Sequence, residues 1–184
     1  QQNLHDLSKG QPLPQKHLTQ SKMAAVPLPV FHCPMARSVI TYPFIHDPPF
    51  ANIDPGTGTL VARTDYAGNA GDQVSPPPSG GCWLVEFGPS SLLVADSRFW
   101  SNRWSCGWHN GVSYQRSKVT MSQVSDGTHL TYMVGERYLD PDCYFSGKCG
   151  DDDQGLLMGF DIDIYRWSST QADLRPMQHT PGFT

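Results

Sequence analysis

The sequence predicts an α+β chain: the end of a helix at the N-terminus, then short β-strands set among long Pro- and Gly-rich loops. Three observations lead there. Leu4 and Leu7 stand three apart and the pattern stops at Gly10, as in the last turns of a helix with a glycine cap. A series of short runs rich in β-branched and aromatic residues follows, each bounded by Gly, Pro, Asp or Asn. The 17 glycines and 16 prolines among 184 residues put much of the chain into turns, so long helices are not expected.

A chain of this length is expected to form a single domain over residues 1–184. Within it, 1–10 is read as a helix end, 11–29 as an irregular Pro-rich arm, and 30–184 as a β-rich head. Four prolines between Gln11 and Pro29 argue against any regular element in the arm. In the head, strands are expected at Val30–Cys33, Ser38–Tyr42, Leu60–Arg63, Trp83–Phe87 and Leu92–Ala95. Thr128–Tyr138 reads either as a strand after the Asp126-Gly127 turn or as a short helix capped by Ser125 or Asp126. Leu156–Trp167 gives the cleanest strand, with Phe160, Ile162 and Ile164 on one face and Asp161, Asp163 and Tyr165 on the other.

The balance of 13 basic and 17 acidic residues, a net charge of -4 without a run of five like charges, disfavours a nucleic-acid partner or a polybasic membrane patch. The longest apolar stretch, Met23–Phe31, is broken by Pro27 and Pro29 and falls well short of the roughly 20 residues of a membrane-spanning helix. Five cysteines without zinc spacing point to an oxidising, extracellular setting. Cys143 and Cys149 are the expected bridge, because Gly147 supplies the tight turn and so small a ring restricts the unfolded chain by about 2.4 kcal/mol. One thiol is left over, to be buried or to pair with another chain.

Two clusters carry candidate chemistry. Asp140 and Asp142 on one side of the ring, and Asp151, Asp152 and Asp153 on the other, would be drawn together by the bridge. Such an Asp/Gly-rich loop suits Ca2+, which takes six to eight oxygen ligands at about 2.3–2.6 Å. Trp100, Trp104 and Trp108, with Arg103, recur at a spacing that aligns the indoles on one helical face. They read as a buried satellite core, a subunit contact or a stacking platform for a glycan. Asp65, Asn69 and Asp72, around Gly68 and Gly71, are expected first of all to cap their own loop. No hydrolase, metalloprotease or phosphate-loop motif occurs, the seven histidines stand singly, and Glu136 sits beside Arg137 as if ion-paired, so an enzyme is not expected.

Several segments in order resemble a large bacterial family of prepilin-like proteins long described only as a domain of unknown function. They are Gln1–Leu4, Phe31-His32-Cys33-Pro34 with Arg37, Ala62–Asp72, Gly111-Val112-Ser113, Asp126-Gly127-Thr128 and Val134-Gly135-Glu136-Arg137-Tyr138-Leu139. The Ala62–Asp72 stretch is the most specific of these. The resemblance implies a pilin-like fold, a helix packed on an antiparallel sheet, and a secreted, non-enzymatic subunit of a pilus-like or pseudopilus-like filament at the cell surface. It also implies copies of itself or other assembly subunits as partners, and adds weight to calcium because related pseudopilins hold that ion in a loop near the sheet. The family's N-terminal hydrophobic helix and its C-terminal segment of His, nine residues and Asp-Gly do not occur in the sequence, and the expectation is that other chain fills those places. A secreted carbohydrate-binding module built on the tryptophans is the alternative.

Overall fold

The computed structural model describes residues 2–45, 53, 60–72, 94, 97, 110–114, 117–157, 159 and 161–167. It is an α+β chain of small elements: α1 (Gln2–His5), α2 (Leu13–Ala24), β1 (Tyr42–Pro43), β2 (Leu60–Val61), β3 (Tyr66–Asn69), β4 (Val134–Glu136) and β5 (Tyr165–Arg166). Single 3-10 turns occupy Pro29–Phe31, Met121–Gln123 and Pro141–Cys143. Where one domain is expected, the contacts sort into two compact units. The first draws on Gln1–Ala67 and Val134–Ile164, the second on Gly68–Met133 and Tyr165–Arg175.

The helix end at the N-terminus is present, and Gly10 closes the following turns with φ +74. The arm, however, contains α2, contrary to expectation. Pro12 caps that helix and Pro14 is its second residue, so neither ring removes a hydrogen-bonded N–H, and Pro27 comes after the helix has ended. The side chains of Thr19 and Ser21 bond back to the carbonyls of Gln15 and His17, which lets a polar face be buried together with Ala24.

In the first unit, β1 and β2 pair antiparallel, with Tyr42 opposite Val61 and Pro43 opposite Leu60. The segment after β2 is the hub of this unit. Ala62 donates to the Ala24 carbonyl at 2.7 Å and accepts from Leu156 N at 2.8 Å; Asp65 donates to the Phe31 carbonyl at 2.8 Å and accepts from Arg137 N at 2.9 Å. In this way the hub ties α2, the 29–31 turn, the stretch after β4 and the chain near 156 to one short piece of backbone. β4 lies beside the start of β3. Val61, Ala62, Ala67, Tyr42, Ala24 and Leu139 form the apolar core.

In the second unit, β5 lies parallel to the end of β3, with Gly68 opposite Tyr165 and Asn69 opposite Arg166, so the sheet is mixed and not the expected antiparallel one. Here the chain crosses itself closely. Gly111 N donates to the Ala70 carbonyl at 3.2 Å and Ser113 N to the Asn69 carbonyl at 3.0 Å. A Cβ on Gly111 would run into the backbone of Asn69, Ala70 and Gly71. Gly71, at φ +100, is equally confined by Asn110 and Gly111.

Three strand expectations are corrected. Val30–Cys33 opens in a 3-10 turn over Pro29–Phe31, and Ser38–Tyr42 contributes only Tyr42 to β1. Among its described residues, Leu156–Trp167 forms a strand only at Tyr165–Arg166, because the backbone before it is diverted. Gly159 has φ +96, Asp163 N bonds to the Asp161 side chain, and Asp163, expected on the open face, is buried. Thr128–Tyr138 begins as turns and becomes strand at Val134–Glu136. Trp83–Phe87 and all but one residue of Leu92–Ala95 lie outside the described residues. Among the described residues no helix is long and apolar enough to cross a membrane.

Candidate functional site: a buried arginine–aspartate cluster

Four charged side chains of the segments that carry the resemblance converge inside the first unit, where Asp152 joins them. Arg37, Arg63 and Arg137 meet Asp65 and Asp152, and all five are buried. Asp65 accepts from Arg37 Nε at 2.7 Å on one oxygen and from Cys33 N at 2.8 Å on the other. Asp152 takes three guanidinium groups: Arg37 through both terminal nitrogens, Arg63 through Nη1 at 3.0 Å, and Arg137 through Nη2. Most of the remaining donors reach carbonyls. Arg37 Nη2 and Arg137 Nε both bond to Thr64 O, Arg37 Nη1 reaches Tyr144 O at 3.3 Å, Arg137 Nη1 reaches Asp151 O, and Arg63 Nη2 reaches Pro43 O.

The local chain explains why these groups can be gathered. The Thr64 hydroxyl accepts from Tyr66 N and has one proton to give, to Tyr66 O at 3.0 Å or Phe31 O at 3.3 Å, fixing the bend between Arg63 and Asp65 that sends both inward. Tyr42 gives the cluster an aromatic wall, with the Arg37 carbon 4.6 Å and the Arg63 carbon 5.5 Å from its ring centre. Planar guanidinium groups suit both roles, forked bonding to carboxylates and stacking on the ring.

Electrostatics follow from burial and charge count. Burial works against the Arg37 charge, but Asp152 and Asp65 more than offset it and its pKa is raised. The Arg63 pKa is lowered, since burial outweighs Asp152, and its Nε has no hydrogen-bond partner among the described residues. His32 packs here with neither ring nitrogen hydrogen-bonded. Burial lowers its pKa against the pull of Asp65, 3.7 Å away, so the ring is neutral. Three cations thus face two carboxylates. A third acid, Asp163, is buried close enough to feel Arg137; burial pushes its pKa up to about 7 despite that arginine and the Gln154 N–H at 2.7 Å.

A carboxylate with both oxygens engaged by arginines is a counter-ion. Asp152 therefore does not serve as the expected calcium ligand; its neighbours in space are three cations, which repel a metal ion. The other acids of that set have distinct settings. Asp140 accepts from Asp142 N and caps the 141–143 turn, Asp142 is exposed, and Asp151 and Asp153 are half-buried. Asp140 does come within 4.8 Å of both sulfurs of Cys143 and Cys149, but those sulfurs are bonded to each other, as expected from their spacing, with Cα atoms 5.8 Å apart. A disulfide offers no thiolate to a metal. Cys33 is a free, buried thiol. Trp100, Arg103, Trp104 and Trp108 lie outside the described residues.

Asn69 caps its own loop as expected, accepting from Gly71 N at 2.8 Å, whereas Asp65 is no local cap but part of the buried cluster. Glu136 is exposed on β4, and Arg137 pairs with Asp152 instead of its neighbour. The cluster as a whole escaped sequence reasoning, because its bonded arginine–aspartate pairs lie 15 to 115 positions apart.

The chain was compared with protein-family profiles, curated proteins and solved structures. None matches.

Proposed function

We propose that this chain is a non-enzymatic structural subunit of an extracellular assembly, a pilus-like or pseudopilus-like filament at the cell surface, with a pilin-like head. The observation that carries this reading is a run of outward apolar side chains in the second unit. Leu130, Tyr132 and Met133 are 70%, 82% and 68% exposed along one stretch of chain. Large apolar groups displayed in a row are what an assembly surface uses, since burying them against another subunit is favourable by about 25 cal/mol per Å2. The cluster supports the same reading from the other side. Four charged residues of the resembling segments, Arg37, Arg63, Asp65 and Arg137, are turned inward and bonded to one another or to Asp152, an arrangement that holds a domain together and leaves them no substrate to meet. The resemblance to prepilin-like proteins supplies the kind of assembly.

Electron microscopy of native material, with the purified chain as comparison, tests the proposal. A filament or ordered array with this chain repeating is expected. Substituting Tyr132→Ser and Met133→Ser should abolish it while leaving the melting temperature of the subunit unchanged. A monodisperse monomer that binds polysaccharide would replace this reading with that of a carbohydrate-binding module.

A further inference from the structure

We propose that the Cys143–Cys149 ring is a redox-set clasp that closes the arginine cluster, so that the first unit is sealed only while the two sulfurs are bonded. Three residues inside this small ring each hold a different part of the cluster. The Tyr144 carbonyl accepts from Arg37 Nη1 at 3.3 Å. The Phe145 ring stacks on Tyr42 at 6.2 Å between centres, on the residue that walls Arg37 and Arg63. Gly147, buried with φ +69, sits so close to the Arg63 guanidinium and the Pro43 carbonyl that no side chain would fit there. A seven-residue loop keeps one left-handed glycine and three such contacts in register because its ends are tied. As whole residues both cysteines are half-buried, while their sulfurs sit in a buried group with Asp140, so a small dithiol reaches them as the ring breathes.

The chemistry is a two-electron exchange. One thiolate of the dithiol attacks a ring sulfur and breaks the Sγ–Sγ bond. Its second thiol then resolves the mixed disulfide, leaving two protonated cysteines and the oxidised dithiol. Once the ends separate, Arg37 loses the Tyr144 carbonyl, and Arg63 keeps its bonds to Asp152 and Pro43 O but loses the packing of Gly147 against its guanidinium and of Phe145 on the Tyr42 ring beside it. Arg137 loses none of its bonds, because its partners are Thr64 O, Asp151 O and Asp152, all outside the ring. Reduction therefore opens the cluster from one side. The device ties the closed form of the unit to an oxidising compartment, and it does not depend on the filament reading.

Trypsin reads this asymmetry directly, because it cuts after arginine and the three bonds Arg37–Ser38, Arg63–Thr64 and Arg137–Tyr138 report the three members separately. The folded full chain is digested with and without dithiothreitol, and the cuts are timed by mass spectrometry. In the oxidised chain all three bonds are expected to be protected. After reduction, cutting at Arg37 and Arg63 should rise by about tenfold or more and precede cutting at Arg137, as for a local opening. Because the reductant acts equally on any bridge made by Cys82 or Cys106, the double variant C143S/C149S is digested without reductant and should show the same order. Should that variant fail to fold, the reduced wild-type chain decides, with C82S/C106S as its control. Unchanged protection after reduction, or loss at all three bonds at one rate, would overturn the proposal.

Discussion

The two units are held by different means, although one stretch of sequence, Ala62–Asp72, builds the centre of both. Its first half places Arg63 and Asp65 in a lattice of buried charges. Its second half places Asn69, Ala70 and Gly71 where another strand of backbone passes at van der Waals distance and hydrogen-bonds to it. The first arrangement depends on charge and on the completeness of a network; the second depends on the absence of side chains. The difference teaches that a conspicuous polar motif need not mark a reactive site, and that its two halves should respond to different perturbations.

The largest expected effect is in the first unit. Arg37→Met leaves Asp65 without the arginine that it pairs with among the described residues and Asp152 with one fewer, and breaking a buried pair from one side costs about 3–5 kcal/mol. Urea unfolding should show that loss, and a variant as stable as wild type would break the comparison. Gly111→Ala comes next. The added methyl meets backbone on three residues, an overpacking cost of about 1–3 kcal/mol, and hydrogen exchange should lose protection at Gly111 and Ser113.

Charge dependence sharpens the contrast further. Asp163 is raised in the folded chain from 3.8 to about 7, so the folded state binds the proton more tightly than the unfolded one. Its contribution is full below pH 3.8 and is lost as pH rises through 7. Asp163→Asn fixes the neutral form and should flatten the unfolding free energy between about pH 4 and 7 relative to wild type, by a few kcal/mol over that window. His32 has the opposite sign. Its folded pKa is lowered from 6.5, so its neutral burial favours the fold above that pH and is lost as pH falls below it. The smallest effect should come from Asn110→Ala, which removes an exposed bonded pair with Asp72 at 2.6 and 3.0 Å and should cost about 1 kcal/mol.

How far these features were legible depends on their range along the chain. The Cys143–Cys149 ring, the Asp126-Gly127 turn and the Asn69 cap were readable, because glycine conformation and short loop closure are local, whereas Gly10 has the positive φ of a cap but stands beyond the end of α1 at His5. α2 was not, because its prolines were counted as breakers without regard to their position in the first turn. The alternation over 156–167 was real in sequence and misleading in space: Asp163 is turned inward, accepting from Gln154 N beside Arg137. For the cluster no local signal existed. Arg37 and Asp152 are 115 positions apart, and each alone is an ordinary surface residue type. The resemblance marked Arg37, Arg63, Asp65 and Arg137 as belonging to one pattern, but only packing joins them and adds Asp152.

The claim underlying all of this is that the buried arginines and aspartates act as one unit, and a double-mutant cycle on Arg37→Met and Asp152→Asn measures it directly. The unfolding free energies of wild type, both single variants and the double variant should give a coupling of about 1–3 kcal/mol, because the second substitution removes interactions that the first has already broken. Costs that simply add, to within about 0.5 kcal/mol, would contradict it.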